Sequence, residues 1–85
     1  MRHRATASFW RSYQALPEEL RDLADKNFAL LKRNERHPSV QFKKVTSELW
    51  SARIGSGHRA LALEEEDGFA WIWIGTHDEY MRRIS

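Results

Sequence analysis

Apolar residues in the first third of the chain recur with the spacing of an α-helix. From Leu20 to Leu31 they fall every three or four positions, and charged residues lie mainly between them. This spacing predicts one amphipathic helix. Pro17 suits its first turn. Pro38 closes it, because the residue before a proline is pushed out of the helical region.

A shorter stripe precedes this helix. Phe9, Tyr13 and Leu16 lie four and three residues apart, which predicts one face of a short helix. Thr6 or Ser8 supplies a side-chain oxygen that caps its first turn. We therefore expect two helices joined at Leu16, forming a helix hairpin at the N-terminal end of the chain.

From Val40 onwards the period shortens to that of β-strands. Four strand candidates cover residues 42–45, 49–54, 59–63 and 69–74. The loops between them are short, so the strands are expected to be antiparallel neighbours. Residues 2–5 are a further strand candidate, and residues 78–84 are expected to form a short final helix. The pattern predicts one α+β domain over residues 1–85.

Composition narrows the class of protein. The 85 residues include no cysteine, which excludes disulfides and cysteine-ligated zinc. The four histidines lack the spacing of metal ligands, so we expect no metal and no other cofactor. No apolar run approaches the roughly 20 residues of a membrane span. The basic N-terminus is not followed by the continuous apolar run of a signal peptide. We therefore expect a cytoplasmic protein without a membrane partner.

The middle of the chain is basic. The net charge is only +2, but the segment from Lys32 to Arg59 holds seven Lys and Arg residues against Glu35 and Glu48. Such a concentration of cations favours a polyanionic partner, and a solvated surface is the alternative. Residues 64–67 form a separate acidic block.

The Gly55-Ser56-Gly57 turn allows a geometric prediction. If these three residues form the loop of a hairpin, Arg53 lies directly opposite Arg59. Two arginines in that position repel each other, so the arrangement favours an anion between them or a separate carboxylate for each. A two-residue turn would shift the register, and two unrelated surface arginines are the other alternative.

Lys43 and Lys44 precede this hairpin and are expected to lie near it. Adjacent strand residues point to opposite faces of a sheet, so at most one of the two joins the arginines. A lysine there suits phosphate binding or proton transfer. The alternative for either lysine is simple solvation.

The last strand candidate runs through Trp71 and Trp73 into glycine and then presents His77 and Tyr80 at the edge of the sheet. Histidine is well suited to move a proton near neutral pH, and a tyrosine ring can stack on a base. Structural alternatives are a helix cap at Asp78 or Thr76 in place of a catalytic site, and a core position for Tyr80. The two tryptophans, two residues apart, are expected on one strand face, as core or as partner interface.

The order and spacing of these motifs resemble the RelE/ParE toxin superfamily, in particular its HigB- and YoeB-like branches. The resemblance covers nearly the whole chain and rests on Leu16-Pro17, Phe42-Lys43-Lys44-Val45, Leu49-Trp50-Ser51-Ala52-Arg53-Ile54, His58-Arg59-Ala60-Leu61 and Trp73-Ile74-Gly75-Thr76-His77-Asp78-Glu79-Tyr80. It implies an N-terminal helix hairpin packed on a small, twisted antiparallel sheet, followed by a short C-terminal helix.

The resemblance also implies a function. Nuclease members of the superfamily cut mRNA in the ribosomal A site without a metal, with the ribose 2′-hydroxyl as nucleophile, and are silenced by a cognate antitoxin. Carried over, Arg53 and Arg59 match arginines that hold the scissile phosphate, and Lys43 and Lys44 match RNA-contacting residues. His77 then corresponds to a general acid. The remaining match, Tyr80, is a base-stacking or orienting group.

The match is incomplete in one respect. The carboxylate base of the YoeB-like branch has no clear counterpart, since Glu48 is nearby in sequence but not aligned with it. His77 and Tyr80, adjacent in that branch, are separated here by Asp78-Glu79. Two alternatives therefore stay open: a ParE-like toxin that inhibits DNA gyrase without cutting RNA, and a decayed toxin that only binds its antitoxin.

Overall fold

The computed structural model describes residues 2–85, which form three helices on the two faces of one five-stranded sheet. The elements in chain order are β1 (Arg2–Ala5), α1 (Ala7–Gln14), α2 (Glu18–Arg33), β2 (Lys43–Lys44), β3 (Leu49–Ile54), β4 (His58–Glu65), β5 (Gly68–Thr76) and α3 (His77–Ile84). The strands lie in the order β1-β5-β4-β3-β2. The predicted α+β class and the short final helix are confirmed.

Two details of the predicted architecture are wrong. A strand, β1, precedes the helix pair, so the helix hairpin is not the N-terminal element. The sheet is mixed and not antiparallel throughout, because β1 runs parallel to β5. Short loops require antiparallel neighbours only between consecutive strands, and the long connection from β1 to β5 leaves parallel pairing open.

The first helix is held to the sheet through its N-terminal turn. Thr6 is the cap, and its hydroxyl oxygen accepts a hydrogen bond from the backbone N–H of Phe9 at 3.2 Å. The same hydroxyl donates to the carbonyl of Trp71 at 2.9 Å. Ser8, the other predicted cap, instead donates to the carbonyl of Ile72. Both hydroxyls therefore fix α1 against β5.

The larger core lies between the sheet and the first two helices. Its buried members are Leu16, Ala24, Leu31, Val40, Ala52, Ile54, Ala60, Ala62, Phe69, Trp71 and Ile74. Leu31 is 1% exposed and Val40 is fully buried, and burying a side chain of this size contributes about 1.5–3 kcal/mol. The predicted apolar stripe of α2 is thus the face that packs on the sheet.

A smaller core lies on the opposite face, under α3. It contains Leu61, Trp73 and Tyr80, with Val45, Ile72 and Ile84 packed around them. The prediction that Trp71 and Trp73 share one strand face is wrong. A β-bulge shifts the register between Leu61 and Ala62, and the extra residue turns Trp71 towards α1 and α2 while Trp73 faces α3.

Within residues 2–85, none of the helices combines the length and the apolar character that crossing a membrane would require.

Candidate functional site

The predicted pairing of the two arginines is confirmed. In the β3–β4 hairpin, Arg53 lies opposite Arg59 and Ile54 lies opposite His58. The three-residue turn needs its first glycine, because Gly55 has φ +61° and a Cβ there would lie 2.8 Å from a methyl carbon of Leu23. Turn geometry therefore sets the register that places two guanidinium groups on one face of the sheet.

Arg59 is buried and held on two sides. It is 9% exposed, its Nη1 donates to Ser51 Oγ at 3.0 Å, and its Nη2 donates to Gln41 Oε1 at 3.3 Å. Its guanidinium carbon lies 5.3 Å from the centre of the Tyr80 ring. The guanidinium group of Arg59 is thus held by two neutral oxygens and one aromatic ring, none of which neutralises its positive charge.

Arg53 is fixed mainly through its backbone. Its N–H donates to the carbonyl of Val40 at 2.6 Å, and its carbonyl accepts from Asn27 Nδ2 of helix α2 at 2.7 Å. Its side-chain Nε donates to the carbonyl of Gly55 at 2.8 Å. The helix α2 and the turn thus both orient this second cation.

Neither arginine has an acidic partner. Among residues 2–85, no carboxylate oxygen lies within 4 Å of the guanidinium nitrogens of Arg53 or Arg59. The possibility that each arginine has its own carboxylate is therefore excluded for this part of the chain. What remains is a pair of arginines whose side-chain hydrogen-bond partners are all neutral oxygens.

His77 lies at the tip of the same face. It is the first residue of α3, and its backbone N–H donates to the carbonyl of Gly57 in the hairpin turn at 2.8 Å. Its side chain is exposed, and its ring centre lies 5.9 Å from that of Tyr80. The turn that aligns the arginines therefore also holds His77.

Thr76 is the N-cap of helix α3, so one of the structural alternatives for this segment is present. Thr76 and Glu79 form a reciprocal capping box, in which Glu79 Oε1 accepts from the Thr76 N–H at 3.0 Å and from its hydroxyl at 2.9 Å. These hydrogen bonds, the backbone one first, lower the pKa of Glu79. The Glu79 carboxylate therefore serves as part of the helix cap. The imidazole of His77 takes no part in the capping hydrogen bonds.

Tyr80 is a core residue. It is 4% exposed, and its hydroxyl donates to Ser51 Oγ at 3.4 Å. The ring is buried, and it lies against both Arg59 and His77. The base-stacking and orienting roles that the resemblance implies for Tyr80 stay predictions.

The two lysines lie on different faces, as predicted. Lys43 is opposite Ser51 and therefore on the side of the arginines, whereas Lys44 is opposite Trp50 on the side of α1 and α2. Lys44 Nζ lies 3.7 Å from a carboxylate oxygen of Glu64. Lys43 is therefore the lysine that lies on the same face of the sheet as Arg53 and Arg59. Lys44, also predicted to contact RNA, points away from it.

The acidic block lies at the far end of the hairpin. Glu65 accepts two hydrogen bonds from Arg4, at 2.9 and 2.7 Å, which lower the pKa of its carboxyl. Asp67 lies 3.5 Å from Arg2. Most of the block is thus neutralised locally. Glu48 is at this end too, roughly 16 Å along β3 from Arg53 at about 3.3 Å per residue.

A cavity of about 250 Å³ lies on the other face of the sheet, between α1, α2 and the strands. Apolar side chains form most of its wall, including Phe9, Phe28, Ile54 and Ile74. It offers no set of cations for a phosphate, and no three His, Asp or Glu side chains within residues 2–85 are placed to hold a metal. The cavity and the arginine pair therefore lie on opposite faces of the sheet.

Two members of the site, Ser51 and Gln41, were not predicted. Ser51 precedes Arg53 by two residues on the same strand, so strand alternation was a usable signal that it shares the arginine face. Gln41 lies in the irregular segment before β2, where no periodicity relates it to Arg59. The cationic face comprises Gln41, Lys43, Ser51, Arg53, Arg59, His77 and Tyr80.

Comparisons with known proteins identify the fold. No protein-family model matches the chain, and no curated protein matches its sequence. Solved structures do. A chain of the RelB-RelE antitoxin-toxin complex from Methanococcus jannaschii aligns with TM-score 0.73 and 9% identity over 96% of this chain and 99% of that one.

A YoeB/ParE toxin from Agrobacterium tumefaciens aligns with TM-score 0.68 and 20% identity over 91% of this chain and 99% of that one. The isolated RelE toxin of E. coli aligns with TM-score 0.64 and 13% identity, over 98% and 97%. Each match spans nearly the full length of both chains. The chain therefore has the fold of the RelE/ParE toxin superfamily.

Proposed function

We propose that this chain is the toxin of a type II toxin–antitoxin pair and that it cuts mRNA in the ribosomal A site. The observation that carries the proposal is the pair Arg53 and Arg59, opposite each other, without a carboxylate within 4 Å among residues 2–85, and next to His77. The shared fold supports the toxin class.

The arginine pair suits a scissile phosphate. Residues directly opposite on neighbouring strands have Cβ atoms about 4.5–5.5 Å apart, so the side chains of Arg53 and Arg59 start close enough for both to reach one phosphate once they turn towards it. The planar fork of an arginine matches phosphate oxygens. Attack by the ribose 2′-hydroxyl adds negative charge to these oxygens, and fixed cations stabilise that charge in the transition state.

His77 supplies the proton of the leaving group. Its exposed imidazole is at the tip of the face where the RNA would lie, and Tyr80 supports both this ring and Arg59. An imidazolium placed against the departing 5′-oxygen donates a proton to it, which is the role of a general acid. The nucleophile belongs to the RNA: its 2′-oxygen forms a bond to phosphorus as the bond from phosphorus to the 5′-oxygen breaks. The proton of the 2′-hydroxyl passes to solvent water, and the departing 5′-oxygen takes its proton from His77.

The proposed partners are an antitoxin, mRNA and the ribosome. The matching chain from M. jannaschii was solved in an antitoxin-toxin complex. An antitoxin that lays acidic side chains over Lys43, Arg53 and Arg59 would compete directly with RNA for the same cations. The ribosome would present a single-stranded codon in a strained conformation. The cationic face is too small to impose that conformation on the mRNA by itself.

The test uses purified ribosomes carrying an mRNA with a defined A-site codon. We expect the chain to cut this mRNA and to spare the same mRNA with a single 2′-deoxy nucleotide at the cut site, because the nucleophile is then missing. An mRNA that stays uncut at saturating protein concentration would contradict the proposed nuclease activity. Inhibition of DNA gyrase by the same preparation would then place the chain with ParE-like toxins.

A further inference from the structure

Gln41 has an unusual backbone. Among residues 2–85 it is the one residue other than glycine with a positive φ, at +45°. Side chains with a Cβ rarely adopt this region, because the Cβ then crowds the following carbonyl oxygen. Such residues persist where surrounding structure over-determines them, often at functional sites.

The residues on both sides of Gln41 are anchored in the larger core. Val40 is fully buried, and its carbonyl accepts from the Arg53 N–H at 2.6 Å. The Phe42 ring stacks on Trp50 with 4.9 Å between ring centres. With both neighbours held on the helix side of the sheet, the Gln41 side chain is directed to the opposite side, where it meets Arg59.

The contact with Arg59 is chemically specific. The atom facing Arg59 Nη2 must be the amide oxygen, because a guanidinium has donors and no acceptor. Ser51 occupies Nη1 from the buried side, and the exposed Gln41 occupies Nη2 from the solvent side. A glutamate here would hold Arg59 equally well but would neutralise it. Glutamine holds the group and leaves its charge available.

We infer that Gln41 is a positioning residue that presets Arg59 for a phosphate, with its strained backbone maintained by the anchors on either side. This inference rests on the proposed function for its consequence in cleavage. Within residues 2–85 the Gln41 amide nitrogen makes no hydrogen bond, so its two N–H donors are free to join Arg59 on the phosphate oxygens.

Three variants separate this role from a structural one. Gln41→Gly removes the amide and relieves the strain, so we expect an unchanged or higher melting temperature together with a roughly tenfold lower kcat for mRNA cleavage. Gln41→Glu pairs with Arg59 and competes with the phosphate, so KM should rise at least tenfold. Gln14→Glu, the matched control at the exposed end of α1, should change neither.

A second measurement does not depend on nuclease activity. In the free protein, the ¹⁵N side-chain signals of the arginines are followed while inorganic phosphate is added. We expect the Arg59 signal to shift on addition of phosphate in the parent chain. The phosphate affinity obtained from this shift should be about tenfold lower in Gln41→Gly.

The two measurements fail in different ways. A parent chain that cuts no mRNA refutes the proposed function, while the phosphate titration still tests Gln41. A Gln41→Gly chain whose Arg59 signal and phosphate affinity equal those of the parent overturns the inference, whatever the cleavage result.

Discussion

Within residues 2–85, the cations at one end of strand β4 have carboxylate partners, and those at the other end have none. Near Glu65, Arg4 makes a two-pronged ion pair at 2.7 and 2.9 Å, and Arg2 lies beside Asp67. Near Arg59, about 20 Å away at roughly 3.3 Å per residue, two arginines lie opposite each other with neutral partners.

The difference separates charges that pair within the fold from charges that, in the proposed function, bind a phosphate. The exposed pairs near Glu65 hold β1 at the edge of the sheet and contribute little to stability. The arrangement at the other end works against stability, because like charges repel across the ladder. An anion bound between the two arginines would offset this repulsion, and we therefore place the proposed site at this end of the hairpin.

The largest effect is expected from Arg59→Ala. Ribosome-dependent cleavage should fall by at least about 10²–10³-fold, the typical loss when a group that stabilises transition-state charge is removed. The chain should stay folded, with a change of at most about 1–3 kcal/mol in the free energy of unfolding, because Ser51 loses one of its two partners while the repulsion from Arg53 is relieved. Cleavage and thermal unfolding are measured on the same preparations.

Arg4→Ala is the matched control for that prediction, since it removes an arginine of β1 that pairs with Glu65 at the opposite end of β4. Its cleavage rate should equal that of the parent chain. Equal losses in Arg4→Ala and Arg59→Ala would erase the distinction between the two ends. An Arg59→Ala chain that is folded and fully active would remove Arg59 from the site.

His77→Gln should slow cleavage by about 10²-fold, the lower range for loss of a general acid, while binding to the ribosome stays within about twofold. The imidazole is exposed and has no part in the capping box, so the melting temperature should not change. Single-turnover cleavage and ribosome pelleting give the two values. Parallel losses of cleavage and binding would make His77 a binding residue.

The two lysines give a smaller, internally controlled effect. Lys43→Ala should weaken RNA binding several-fold and reduce the salt dependence of binding by about one phosphate contact. Lys44→Ala should leave both unchanged, because Lys44 faces Glu64 on the other side of the sheet. Binding is measured across a salt series, and an equal change in both variants would contradict the assignment of faces.

The smallest effect concerns pH and belongs to the structural end. Burial lowers the pKa of His3, whose Nδ1 accepts from Trp71 Nε1 at 3.1 Å. Below about pH 6.5 the unfolded chain therefore binds more protons than the folded one, and the free energy of unfolding falls as pH decreases. Urea unfolding between about pH 7 and pH 5 measures this slope. It should be shallower in His3→Gln, and an identical slope would exclude His3 as the source.

Local signals were enough to predict much of this molecule. The 3.6-residue stripe of α2 and the three-residue turn after Ile54 each depend on residues close in sequence. The turn length alone placed Arg53 opposite Arg59. The division of Lys43 and Lys44 between faces followed from strand alternation in the same way.

The features that could not be predicted depend on contacts distant in sequence. The parallel pairing of β1 with β5 joins residues more than sixty positions apart. One bulged residue at Ile72 inverted the expected side of Trp71 relative to Trp73. Gln41 reaches Arg59 only because Val40 and Phe42 are held in the core, which no local pattern records.

The most direct test is brief expression of the chain in bacteria without an antitoxin, with mapping of mRNA 5′ ends over the first minutes. Arg59→Ala and Arg4→Ala are expressed in parallel. We expect new 5′ ends confined to translated regions and in phase with codons, in the parent and Arg4→Ala but not in Arg59→Ala. Growth arrest with intact mRNA would contradict the proposed nuclease activity.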